Sequence, residues 1–207
     1  MDGGEINKGN SYATNAAALI WAIYELAIHP DMQTRVREEI RSVLVSSKTP
    51  VTSTEMDAMK YLHCFVMENA RMYPSISTSW RETKRTVDIQ GTTIPAHTPI
   101  VIANYAINHS KAYWGEDADE FIPERWTAER RKPGVEHNGG FQTYAVGPKS
   151  CIGKEYSLRA IKTVLIALVG TFEFNYDGPD PMENLVPGLT MRPRGGLTVE
   201  VKMASPW

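Results

Sequence analysis

The stretch Tyr144-Ala145-Val146-Gly147-Pro148-Lys149-Ser150-Cys151-Ile152-Gly153 constrains this chain more than any other. A lone cysteine sits among small and Gly-rich positions, a cation lies two residues before it, and a helical pattern begins directly after it. Glycines let a backbone pass close to a flat group and let backbone N–H groups point at the sulfur. The start of the following helix puts the positive end of its dipole near that sulfur, which favours an anionic ligand. Such a loop presents a thiolate to a metal; the bland alternative is a buried structural cysteine at a strand-to-helix turn.

These residues resemble the haem-binding loop of the cytochrome P450 superfamily: an aromatic, two residues, Gly, any, Arg or Lys, any, Cys, any, Gly. Tyr144 stands where Phe is usual, Gly147 is the first glycine, Lys149 stands where Arg is usual, and Cys151 and Gly153 match. Three further motifs follow the family's order. Glu68-Asn69-Ala70-Arg71 resembles the Glu-x-x-Arg of the K helix, whose spacing puts both charges on one helical face. Phe121-Ile122-Pro123-Glu124-Arg125-Trp126 resembles the Phe-x-Pro-Glu-Arg segment, and the resemblance implies that Arg125 joins Glu68 and Arg71 in one buried network. Asn10-Ser11-Tyr12-Ala13-Thr14-Asn15 resembles the oxygen-binding part of the I helix, usually Ala/Gly-Gly-x-Asp/Glu-Thr-Thr/Ser. Thr14 matches the threonine, but Ala13 replaces the acid that would supply protons.

The resemblance implies a mainly α fold with a small β component: the C-terminal half of the cytochrome P450 fold, from the late I helix to the L helix and a terminal hairpin. The whole family domain is about twice as long as these 207 residues. Residues 1–207 are therefore expected to form one partial domain, with 1–12 an irregular polar leader. The membrane anchor, first sheet strands and most substrate-contacting helices of the family would precede it. Without them, the helices around Ala16–Ile28 and Leu158–Phe172 are expected to leave apolar patches exposed.

The remaining pattern is consistent with this order. Residues 16–28 are rich in Ala and Leu with no breaker before His29-Pro30, which reads as a packed helix. Met32, Val36, Ile40, Val43 and Leu44 mark an amphipathic helix. Thr52 and Glu55 have capping-box spacing at the start of the run leading to Glu68, and Pro74 ends that run. Residues 87–94 read as a hairpin around Gln90-Gly91, 99–103 as a strand, and 127–143 as a loop. Leu158, Ile161, Leu165, Leu168 and Phe172 form a helical stripe, and the tail reads as a hairpin turning at Gly195-Gly196.

Composition narrows the partners. The net charge is −2 and 42% of residues are apolar, so nothing favours nucleic acid. No run approaches the twenty apolar residues of a membrane span, and no signal peptide is evident. Cys64 reads as a small core residue rather than a disulfide partner of Cys151. The five histidines lack metal-finger spacing with a cysteine pair, which argues against a structural zinc site.

The resemblance further implies haem b (iron protoporphyrin IX) as cofactor, with Cys151 its axial iron ligand. Tyr144, Gly147 and Gly153 would shape the cradle, and Arg81 and Lys149 would meet the haem propionates. The implied activity is a monooxygenase, of the kind found in secondary metabolism, that hydroxylates or otherwise oxidises an apolar organic molecule. It would use O2 and electrons from NADPH through a reductase docked near the cysteine side. The location implied is intracellular, with full-length eukaryotic relatives anchored to the endoplasmic reticulum membrane. The rival reading is a truncated, inactive remnant that keeps the haem motifs.

Overall fold

The structure is a computed structural model describing residues 9–46, 50–130, 134–136, 138–186 and 190–205, with the backbone alone for residues 9–11. Seven α-helices and three two-stranded antiparallel sheets appear among these residues. Helix α1 (Gly9–Ile28) opens the fold. It starts before the expected end of the irregular leader, so residues 9–12 are helical; residues 1–8 lie outside the described residues. Its Trp21, Ala22, Leu26 and Ala27 are fully buried, as expected of a helix apolar on most of its surface.

Helix α2 (Pro30–Val43) begins at a proline whose fixed φ suits a first turn. It buries Val36 and Ile40, and uses Gln33 and Arg37 as internal brackets. The Gln33 amide donates to Leu26 O and Phe174 O and accepts from Phe174 N–H. Arg37 donates to the carbonyls of Val169 and Phe172. Backbone groups that would otherwise be orphaned at element ends are thus paired.

The run towards Glu68 divides at Met59 into α3 (Ser53–Ala58) and α4 (Lys60–Met72). The Thr52–Glu55 capping box starts α3, so it does not start the Glu68 helix itself. Helix α4 is capped from outside, by the Glu39 carboxylate accepting from Tyr61 N–H and Leu62 N–H, both at 2.8 Å. An anion at that end is favoured by the helix dipole.

Strand β1 (Ser79–Glu82) pairs with β4 (Pro99–Ile102), and β2 (Val87–Ile89) with β3 (Thr92–Ile94) across the turn at Gln90-Gly91. Short helices α5 (Asn104–Asn108) and α6 (Lys111–Trp114) lead to a 3-10 turn at Pro123–Trp126. Helix α7 (Lys154–Thr171) buries Leu158, Ile161, Leu165, Ile166 and Val169. The terminal antiparallel pair joins β5 (Phe172–Asn175) to β6 (Glu200–Met203). It is not the local hairpin expected around Gly195-Gly196, because β6 completes the strand that leaves α7. The two glycines do turn the chain, both with positive φ.

The large exposed apolar side chains lie mostly off the two helices expected to carry them. Within residues 16–28 and 158–172 only Ile28 and Val164 among such side chains are exposed, at 36% and 37%; the widely open Tyr12 and Tyr156 lie in the first turns of α1 and α7, and Trp80 and Ile152 lie outside both helices. The packed faces of α1 and α7 are spent on each other and on α4.

Candidate functional site

A carboxylate on α4 organises the site's supporting structure. Glu68 and Arg71 are fully buried and Arg125 is 8% exposed. Arg71 meets Glu68 through Nε and Nη2 at 2.9 and 2.8 Å. Arg125 Nε donates to Glu68 at 3.2 Å, and the Ile122 N–H and Trp126 indole each donate at 2.9 Å. Arg71 spends its remaining N–H groups on the carbonyls of Asn108, Ala118 and Glu120. Arg125 is closed off by Asp117, at 2.8 Å from Nη1, and by the Asp117 carbonyl. Pairing to Arg125 holds the Asp117 carboxyl below its usual range. Buried charges persist only when paired this fully.

Asn108 carries this order towards the cysteine loop. Its side chain donates to Arg71 O and Thr143 Oγ1 and accepts from Gln142 N–H. Thr143 in turn donates to Ala70 O. Rings of Trp114, Trp126, Phe141 and Tyr144 follow one another at 5.5, 5.1 and 6.1 Å beside this path. Gly140 lets the chain pass, since a Cβ there would stand 2.9 Å from Tyr113 and Val135. Asn108, Thr143, Asp117 and Trp126 were not identified from sequence as members of this support; their types are ordinary and only the fold unites them.

The loop itself is closed by Cys151 N–H donating to Tyr144 O at 2.7 Å and Ser150 N–H donating to Gly147 O at 2.9 Å. Gly147 has φ 75°, which favours glycine, and Ala145 has φ 55°, which a residue with a Cβ adopts less readily. Cys151 is a free, exposed thiol, whereas Cys64 is buried, which pushes its thiol pKa up. Burial pushes the Tyr144 phenol up to about 12, so it stays protonated at neutral pH.

Cys151 opens into a cavity of about 570 Å³, within the range of small-molecule and cofactor sites. Thr14 and Asn15 line it from α1, Ser75 and Ile76 from the segment after α4, Arg81 from β1, and Tyr144, Lys149 and Gly153 from the loop. The expected site residues are thereby brought around one space, Gly147 excepted: it shapes the loop without lining the cavity. Arg81 also donates to Trp80 O.

Three polar contacts fasten α1 at this wall. Ser75 Oγ donates to Thr14 O at 2.9 Å, Asn69 donates to Ala18 O at 3.0 Å, and Ser157 Oγ donates to Asn15 Oδ1 at 2.6 Å. The side chains of Asn10 and Ser11, the other part of the expected oxygen-binding motif, lie outside the described residues.

The profile of the Cytochrome P450 family matches residues 8–199. The chain belongs to the cytochrome P450 family. It is 34% identical to the cytochrome P450 monooxygenase sphH of Aspergillus fumigatus, across 96% of this chain and 38% of that protein. It is 30% identical to the cytochrome P450 monooxygenase buaD of Petromyces alliaceus, across 96% of this chain and 39% of that protein. Cytochrome P450 3A5 of Homo sapiens is 35% identical over 79% of this chain and 32% of its own length. The chain thus spans well under half the length of these P450 relatives. The mainly α architecture with small sheets is that of a partial P450 fold. Among the described residues no helix is long and apolar enough to cross a membrane.

The residues suit a haem. Among the described residues no three His, Cys, Asp or Glu side chains come together to hold a metal. Gly153 lies beside the Cys151 sulfur, which a Cβ there would meet in ordinary van der Waals contact at 3.9 Å. Two cations, Arg81 and Lys149, reach the same cavity and complement carboxylates of the propionate kind.

Proposed function

We propose that this chain forms the haem-thiolate part of a P450 monooxygenase that oxidises an apolar organic molecule. The observation that carries the reading is that Cys151 and Thr14 face one cavity from separate elements, with Arg81 and Lys149 on its lining. Haem b held there by Cys151 would supply oxygen activation, with electron donation from the Cys151 thiolate.

The chain's own residues have narrower tasks. Cys151 offers the ligand, on a loop whose shape is fixed by the Tyr144 carbonyl and Gly147. Arg81 would hold a propionate through its fork, and Lys149 would add a point charge. Thr14 holds a hydroxyl at the α1 wall for proton transfer; Ala13 beside it has no proton to give, so water or the substrate must feed Thr14. Ser75, Ile76 and Ser79 present a small, partly polar wall to the substrate. Glu68, Arg71 and Arg125 act structurally, by holding the segment that carries the loop. Electrons come from an NADPH-dependent reductase at the cysteine side, in an intracellular setting like that of membrane-anchored eukaryotic P450s.

The relatives sphH and buaD are named as cytochrome P450 monooxygenases, which agrees with the oxidation proposed. The second reading, a haem-motif chain without turnover, draws on Ala13. One experiment separates the two. The chain is loaded with haemin, its reduced-CO spectrum is recorded, and NADPH-dependent substrate oxidation is assayed with a reductase. A red-shifted, thiolate-type Soret band with coupled oxidation supports the monooxygenase. The same band without oxidation supports the inactive form, and failure to take up haem refutes both.

A further inference from the structure

Asn15 and Ser157 lie on different helices, yet both line the cavity and meet through one hydrogen bond of 2.6 Å. Ser157 sits in the first turn of α7, the helix that leaves the Cys151 loop, and its own N–H donates to Gly153 O at 2.8 Å. Asn15 adjoins Thr14, whose carbonyl accepts from Ser75 Oγ. The Tyr144 carbonyl holds the Cys151 N–H, and the Gly153 carbonyl two residues on holds the Ser157 N–H. One chain of polar contacts therefore runs from the cysteine loop through α7 to α1. Asn15 stands where the I-helix motif has Thr or Ser, and its longer amide carries the acceptor further from the α1 backbone.

We propose that Asn15 and Ser157 are positioning residues for the haem: their hydrogen bond ties α1 to the start of α7 and sets the separation of the two walls that enclose the cofactor. This rests on the haem reading given above. The bond joins neutral partners, so it is worth a modest factor rather than the whole affinity. Its effect is geometric. Without it, α1 keeps the Ser75 and Asn69 anchors and its buried apolar face, but loses the tie closest to the cysteine-bearing element. A slot free to widen releases a rigid planar ligand faster, because the walls no longer match its thickness.

The test is the rate at which haem passes from the loaded chain to excess apomyoglobin, measured for wild type, Asn15→Leu, Ser157→Ala and the exchanged pair Asn15→Ser/Ser157→Asn. Thermal melts of each chain without haem run alongside. Ser157→Ala is mild for a helix, so it decides the matter if Asn15→Leu misfolds. The expected result is ~2- to 10-fold faster transfer in each single variant, near-wild-type transfer in the exchanged pair, and an unchanged melt for Ser157→Ala. Transfer at the wild-type rate in Ser157→Ala overturns the inference while leaving the haem reading intact. So does acceleration that merely follows a lowered melting temperature and is not restored by the exchange. A wild-type chain that takes up no haem overturns the haem reading and this inference together.

Discussion

The Trp126 indole donates to Oε2 of Glu68 at 2.9 Å, across 58 positions of sequence. The same carboxylate also collects Arg71, Arg125 and the Ile122 N–H. Its position at 0% exposure is tolerable only because every partner is present.

Glu68→Gln is expected to destabilise the chain by roughly 3–5 kcal/mol, because it leaves two guanidinium groups without their shared counter-charge. Arg125→Ala should act in the same direction. Trp126→Phe, which removes one donor to a charged acceptor, should cost about 1.5–3 kcal/mol. Urea midpoints at constant slope measure all three; a Glu68→Gln midpoint equal to wild type would contradict the account.

Cys151→Ala should abolish the thiolate-type CO spectrum, and Cys64→Ala should leave it intact. Cys64 is 6% exposed inside the core and cannot reach a cavity ligand. Loss of the signal on removing Cys64 but not Cys151 would reverse the ligand assignment.

His29 gives a pH dependence whose sign is fixed by its partner. The Glu25 carboxylate, 3.3 Å from the ring, raises its pKa above the ordinary value, against the lowering effect of burial. A raised folded-state pKa contributes stability that is complete below about pH 6.5 and lost as pH rises through the higher folded value. The imidazole is partly exposed, so screening keeps the effect small. Stability measured from pH 5 to 9 should fall across that window in wild type and flatten in His29→Gln. Equal slopes in the two proteins would exclude the pair as the cause.

Gln33→Leu should cost about 1–3 kcal/mol, since it strands the Phe174 N–H and carbonyl and the Leu26 carbonyl in a buried setting. Hydrogen exchange should quicken first at Phe174, where strand β5 loses its bracket to α2.

The sequence disclosed what is carried by residue type at fixed spacing. Cys151, Gly147 and Gly153 are legible because the loop's conformation demands them, and the stripe from Leu158 to Leu165 because burial imposes a helical period. The division at Met59 was not legible: the cap of α4 comes from Glu39, on another helix, and a distant carboxylate leaves no local mark. The tail misled for a related reason. Two glycines signal a turn, but the partner of β6 was chosen by the exit direction of α7, not by the turn. Asn15 and Ser157 are unremarkable as types, and only their meeting across two helices gives them a role.

The distances in sequence between Glu68 and its donors carry a kinetic consequence. Ile122, Arg125 and Trp126 lie 54 to 58 residues from Glu68, so closing this knot requires a long loop to shut before any of its bonds is gained. The Asn108 and Thr143 contacts that shape the approach to Cys151 depend on that closure. Refolding should therefore order the adjacent helices α1 and α2 before the knot, with the 129- to 142-residue closures of α7 onto them later still, and haem capture should be the last and slowest phase. A chaperone or a haem supply acting late in folding would then govern yield more than intrinsic affinity does.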